Sequence, residues 1–260
     1  MIPEPLRTFW YAMSGLNQRC RRTAWGAVVS DPRFPLVWDA NHAAILEDVD
    51  GLSGEEIRGV LHPALRDAGA PFEHLEFWEP AETPALRDLR REGNRRDPDL
   101  DLVFHGAAPA APSSAFEIRE IDDPDDRFLD WYRDSRVEFG GDLSGEVLDQ
   151  LLGRDLIVFL PAGLRWFVAH AGGAPAGFTS LISLAGIGYL DGVITMPAFR
   201  RKGVATATVT AAIRASLGQG DAFVHLLAEE RGQARRLYER LGFRSWGRVH
   251  SFTRRLPQTS

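Results

Sequence analysis

The stretch that most constrains this chain is Arg200-Arg201-Lys202-Gly203-Val204-Ala205-Thr206. An apolar run, Tyr189 to Met196, precedes it, and an alanine-rich run reaching about Leu217 follows. Strand, basic glycine turn and helix in that order define an α/β unit. The first turn of a helix carries backbone N–H groups without intrahelical partners, and the macrodipole adds partial positive charge there. Gly203 has no Cβ and lets the backbone come close to a ligand, and Ala205 is nearly as small. Arg200, Arg201 and Lys202 add positive charge. Such a turn can cradle a polyphosphate, or it can simply cap an ordinary helix.

A second segment narrows the choice. Ala234-Arg235-Arg236-Leu237-Tyr238-Glu239-Arg240-Leu241-Gly242-Phe243 reads as a helix with Ala234, Leu237 and Leu241 on one face. Gly242 supplies a left-handed C-cap, and Phe243 begins the next strand. Taken together, the Arg-x-x-Gly-x-Ala turn and the helix ending in Leu-Gly-Phe resemble motifs A and B of the GCN5-related N-acetyltransferases. The resemblance implies that the loop from Arg200 to Thr206 holds the pyrophosphate of acetyl-coenzyme A. It implies that Tyr238 protonates the departing thiolate. Many members carry an asparagine three residues before the Ala234 position. This chain has Arg231 there, whose charge can still reach a coenzyme phosphate.

The C-terminal half follows the family's order of elements. Ala115 to Ile121 reads as a strand, Asp123 to Glu138 and Ser144 to Leu152 as helices, and Ser144 as an N-cap. Leu164 to Ala171 and Pro175 to Leu184 read as a hairpin turning at Gly172-Gly173. Ile187 to Met196, Ala222 to Ala228 and Phe243 to Arg254 complete the strands. Glycine inside a strand often marks a bulge. Gly192 either marks one in the strand before the loop or is a glycine tolerated for packing. By resemblance, the bulge splays this strand from the next. Val193 and Thr195 then offer backbone to the pantetheine arm as a pseudo-strand.

Acetyl transfer to an amine needs a base, an oxyanion donor and an acid. A backbone N–H near Val193 is the candidate donor, and Tyr238 the candidate acid. Asp191, two residues before Val193 and so expected on the same face, is a candidate base. Glu229, Glu230 and a water-relayed route are the alternatives. The acidic run through Glu120, Asp122, Asp123, Asp125, Asp126, Asp130 and Asp134 suits a helix N-terminus, with Asp122 and Asp123 at its start. It also suits a wall that attracts a cationic amine. Trp131, Tyr132 and Phe139 belong to that wall or to the core.

The N-terminal half reads as a helix over Pro5 to Arg19 and strands over Ala24 to Ser30 and Leu36 to Leu46. A helix follows over Ser53 to Ala68, with Ser53 and Glu56 forming a capping box. Strand, helix and strand then run over Phe72 to Phe77, Pro84 to Arg91 and Leu100 to Phe104. From the second strand on, this order resembles the C-terminal half. The turn from Glu47 to Leu52 carries Glu47, Asp48 and Asp50 where the other copy carries cations. Each unit charge near a phosphate counts for about 1 kcal/mol at ~4 Å even in water. This half is therefore expected not to bind the coenzyme. Trp38, Asn41 and His42 lie on or near its long strand, and His42 is expected to be structural.

The small, proline-bearing run Ala107 to Ser114 suits a linker. The expectation is a degenerate acetyltransferase-like domain over 1–108, a linker over 109–114 and a catalytic domain over 115–260. The expected fold is α/β (α+β): a mixed, mostly antiparallel sheet flanked by helices, twice in tandem. A net charge of −6 argues against a nucleic-acid partner. Cys20 is the only cysteine, so no disulfide forms within the chain, which suits the cytoplasm. No histidine pair has metal-binding spacing, so no metal is expected. Met1 to Gly15 lacks the pattern of a signal peptide, and no apolar run reaches membrane-spanning length. The expected activity is acetyl transfer from acetyl-coenzyme A to a primary amine of a small molecule in a ternary complex, by a monomer or homodimer. A longer acyl donor, a protein amine or a non-catalytic acyl-coenzyme A module are the alternatives.

Overall fold

The computed structural model describes residues 2–78, 83–92, 98–111, 116–139 and 143–257, with the side chain of Phe139 left out. Pro112, Ser113 and Ser114 of the expected linker, Ala115 of the expected strand and the side-chain role considered for Phe139 lie outside the described residues. In chain order the elements are α1 (Glu4–Gly15), β1 (Arg19–Thr23), β2 (Gly26–Ser30), β3 (His42–Ile45), α2 (Gly54–Ala68), β4 (Phe72–Trp78), α3 (Pro84–Glu92) and β5 (Asp99–Phe104). They continue with β6 (Glu117–Ile121), α4 (Asp126–Ser135), α5 (Gly145–Arg154), β7 (Arg165–Ala171), β8 (Ala174–Leu184) and β9 (Ile187–Thr195). The last are α6 (Val204–Gly218), β10 (Val224–Glu229), α7 (Arg235–Leu241) and β11 (Arg244–Arg255).

Two compact units emerge: Met1–Asp101 with Ala228–Arg235 and Ser245–Ser260, and Leu102–Leu227 with Arg236–Arg244. This division differs from a cut at 109–114. Val249 to Arg255 of β11 pair antiparallel with Trp78 to Phe72 of β4, and Phe252 is buried against Phe77. The last strand therefore packs in the first unit, although it follows the second in sequence.

In the first unit the strands run β1-β2-β3-β4-β11, with β3 and β4 parallel and the other pairs antiparallel. Helix α2 lays Ile57, Leu61 and Leu65 on Ala43, Leu75 and Phe77, and α3 adds Leu86 and Leu89 to the same core. Ser53 Oγ accepts from the Glu56 N–H at 3.1 Å, the main-chain half of the expected capping box. Two local expectations change. The first helix stops at Gly15, and Arg19–Thr23 forms an edge strand instead of a final turn. Leu36 to Leu46 is not one strand: a 3₁₀ turn, Trp38–Ala40, leads into the short β3. Asn41 holds that turn by donating to the Phe34 and Val37 carbonyls at 2.8 and 3.1 Å.

In the second unit the strands run β10-β9-β8-β7-β6, antiparallel except for β10 with β9. Strand alternation divides its layers. Thr179 faces α6, where its hydroxyl donates to Thr208 Oγ1 at 2.8 Å. Phe178 faces α4, where Trp131 and Tyr132 meet it edge-on. Tyr132 is fully buried and belongs to the core, whereas Trp131 is half-buried. Helix α4 starts later than Asp123, because Asp125 is its N-cap and accepts from the Phe128 N–H at 2.7 Å. Ser144 caps α5 as expected, accepting from Val147 at 3.3 Å.

Candidate functional site

The loop before α6 is built from beneath. Val204 is buried among Ala169, Ala176, Ile118 and Phe199, which fixes where the helix begins. Gly177 permits this approach: a Cβ there would sit 2.8 Å from Val204 Cγ1 and 2.3 Å from the Ile194 carbonyl oxygen. Gly203 is the N-cap residue with φ +91°, a left-handed conformation, and no side chain caps the helix. Arg201 is also left-handed, at φ +61°. No acidic residue occupies the first turn of α6. The N-terminus of α2 in the first unit is the opposite case, with Ser53 accepting and Glu55 and Glu56 in its first turn.

The three cations around the loop differ. Arg201 is exposed. Lys202 donates to the Ala198 carbonyl at 2.9 Å and lies 5.6 Å from the Phe199 ring centre. Arg200 is ion-paired with Glu138, a partner that sequence reading missed. Ala205 and Thr206 are half-buried at the start of the helix.

Strand β9 carries the expected bulge. Thr179 pairs with Val193, but Leu181 pairs with Leu190, so Asp191 and Gly192 together oppose Ser180. Ser180 Oγ accepts from the Gly192 N–H at 2.8 Å and holds the extra residue in place. Ser180 carries no sequence signal of its own. Its position shows only once the hairpin register is known.

The bulge overturns one expectation. Leu190 and Val193 lie opposite Leu181 and Thr179, so they share the α6 face. The extra residue shifts the alternation, and Asp191 falls with Ser180 on the α4 face. Asp191 and Val193 therefore do not point the same way. On the α4 face, Asp191 interacts electrostatically with buried Arg136, whose nearest partners are Tyr132 and Asp155. Burial lowers the Arg136 pKa, but Tyr132, Asp155 and Asp191 outweigh it and the guanidinium stays firmly charged. The Tyr132 hydroxyl also donates to Asp155 at 2.6 Å.

Beyond the bulge the sheet opens. Parallel pairing of β10 with β9 covers Val224 with Gly188 and His225 with Tyr189, and goes no further, although both strands continue. The backbone of β9 from Leu190 to Thr195 thus passes alongside Leu226 and Leu227 without a ladder between them. An extended chain of amides could occupy that opening.

Tyr238 is 5% exposed and meets Phe243 edge-on, with ring centres 5.8 Å apart. It is the buried residue of α7, while Leu237 and Leu241 are half-buried and Ala234 is exposed. The expected apolar face is thus rotated toward the aromatic ring. Burial pushes the phenol up to about 12. Arg231, Glu229 and Glu230 fall in the first unit, where Arg231 is exposed and Glu230 pairs with Arg248 at 2.8 Å.

Comparison with known proteins places this geometry. Three solved structures share the fold at 15% identity. A functionally unknown conserved protein from Staphylococcus epidermidis aligns with a TM-score of 0.69, covering 91% of this chain and 93% of that one. A GCN5-related N-acetyltransferase from Kribbella flavida aligns at 0.66, covering 95% and 92%. A tandem GNAT protein from the clavulanic acid biosynthesis pathway aligns at 0.55, covering 79% and 70%. These likenesses show the acyltransferase fold, including its tandem form. No curated protein matches the chain in sequence. No described helix is long and apolar enough to cross a membrane. The family model described as the acetyltransferase (GNAT) family matches residues 118–243, which span the uncapped loop, the bulged strand and Tyr238. Residues 118–243 of this chain are thus a domain of the GNAT acetyltransferase family.

Proposed function

We propose that this chain transfers the acetyl group of acetyl-coenzyme A to a primary amine of a small molecule, using the site in its second unit. One observation carries the reading: an uncapped, cationic helix start follows a strand that bulges at Gly192 and parts from its neighbour. In this reading the pyrophosphate accepts from the backbone N–H groups of Val204, Ala205 and Thr206, with Arg201 and Lys202 nearby. The phosphate draws Arg200 from Glu138, or Arg200 stays and closes the loop's edge. The pantetheine amides pair with Val193 and Thr195. The exposed carboxylates of Asp122, Asp123 and Asp126 favour a cationic acceptor.

The chemistry is a direct displacement. The amine nitrogen attacks the thioester carbonyl carbon and forms the C–N bond. A backbone N–H near Val193 stabilises the oxyanion. As the intermediate collapses, the C–S bond breaks and the thiolate takes a proton from Tyr238. The phenol, raised to about 12 by burial, keeps its proton at neutral pH. The acceptor arrives as an ammonium and gives one proton to Asp191 or to water before it attacks; the second leaves the nitrogen to solvent after the C–N bond forms, and solvent returns the proton that Tyr238 gave to sulfur.

A panel of amines with a thiol-detecting readout tests the proposal, run with acetyl- and longer acyl-coenzyme A. Amine-dependent release of free thiol from acetyl-coenzyme A is expected. Binding of the coenzyme without thiol release across the panel would favour a non-catalytic acyl-coenzyme A module. Release only from longer donors would move the donor assignment.

A further inference from the structure

We propose that Asp39, His74 and Glu76 form a site for one divalent transition-metal ion in the first unit. The site arises from two pieces of backbone. His74 and Glu76 are two residues apart on β4, so both point away from the face that buries Leu75 and Phe77. The 3₁₀ turn Trp38–Ala40 brings Asp39 to that second face. One ligand atom from each of the three residues then lies within 4.8 Å of the other two. Ligands about 2.0–2.2 Å from a common ion stand at most about twice that distance apart. Small side-chain adjustments would therefore close the set around an ion.

His74 is held as a ligand would be. Its Nδ1 is 2.7 Å from Thr253 Oγ1, and its Nε2 faces Glu76 Oε1 at 3.2 Å. A metal-bound imidazole needs this outer-shell bond to fix its ring and direct the other nitrogen at the ion. The ring is 2% exposed and cannot swing to solvent. Trp38 stacks on it with ring centres 5.7 Å apart, and His42 meets it edge-on at 6.2 Å. Asp39 is exposed and gives the ion a way in.

The Asp39 carboxylate opposes the charge on Glu76, which His74 and His42 favour, and a cation between the two carboxylates would be attracted by both. One imidazole and two carboxylates suit zinc or manganese. Three protein ligands leave a position open to water. The histidine-pair spacing considered in sequence does not detect this set, because it joins one histidine to a carboxylate two residues on and to another from a distant turn.

The test uses the full chain carrying Cys20→Ser, stripped with chelator and titrated with zinc chloride by calorimetry. Uptake of one zinc per chain is expected. Asp39→Asn and Glu76→Gln should each weaken it at least tenfold, with circular dichroism unchanged. Asp39 is exposed, so its variant keeps the test valid if Glu76→Gln fails to fold. No stoichiometric uptake of zinc, manganese or cobalt would overturn the proposal. So would equal zinc affinity in the folded variants.

Discussion

Gly203 and Tyr238 carry opposite physical demands. Gly203 sits at φ +91° with open space around its missing Cβ, so conformation and charge limit it and crowding does not. A side chain in left-handed backbone costs about 1–2 kcal/mol, and Gly203→Glu also sets an anion where a phosphate is proposed to lie. Tyr238→Phe keeps the buried ring and removes only the hydroxyl. It should lower kcat by ~10²–10⁴-fold and leave KM for acetyl-coenzyme A within a few-fold. Steady-state kinetics against a responsive amine checks this, and an unchanged kcat would remove Tyr238 from the acid role. Both residues are legible in the sequence, because the Gly203 turn and the Leu-Gly-Phe helix end are local patterns. The side on which Asp191 lies is not legible. It depends on the register slip between Leu190 and Val193, which only the pairing with β8 reveals.

Helix α6 and strand β9 show why one helix start is suited to an anion and another is not. Ser53, Glu55 and Glu56 satisfy and neutralise the start of α2, while α6 begins on glycine with its first-turn donors uncapped. The bulge in β9 rests on the Ser180–Gly192 bond. Ser180→Ala should cost about 1 kcal/mol of stability and raise KM for acetyl-coenzyme A more than it lowers kcat. Thermal unfolding with steady-state kinetics measures both, and an unchanged KM would separate the bulge from donor binding. The Ser53 N-cap, the hairpin and both glycine-bearing elements could be read from residue order. The run Leu36 to Leu46 could not. Its apolar content suggests a strand, but Asn41 side-chain bonds to Phe34 and Val37 turn the backbone instead. Such side-chain competition with the ladder leaves no periodic signal.

Across the whole chain, the second copy of the strand and helix order was legible, but the division of residues between the units was not. The run at 107–114 looks like a boundary by composition, whereas β11 finds its partner on β4, far earlier in the chain. That strand also supplies part of the first unit's electrostatics. Glu73 is fully buried and is approached by His62, by Arg58 at 3.2 Å and by Arg254 at 2.9 Å. Burial pushes its carboxyl up, but these three partners outweigh burial and hold it below the ordinary value. A lowered folded pKa stabilises the protein above the unfolded value. That stability is lost as pH falls through the folded value. Removing one partner of such a pair costs about 3–5 kcal/mol. Glu73→Gln should therefore lower the melting temperature at pH 7 and flatten the loss of stability below pH ~4.5. Melting curves from pH 3 to 7 test this, and parallel curves for both proteins would contradict it.

The central claim is that one unit binds the coenzyme through a bare helix start and the other does not. Calorimetric titration of the full chain with acetyl-coenzyme A tests it most directly. One site per chain is predicted, abolished by Gly203→Glu with circular dichroism unchanged. Two sites, no binding, or undiminished affinity in the Gly203→Glu protein would contradict the account.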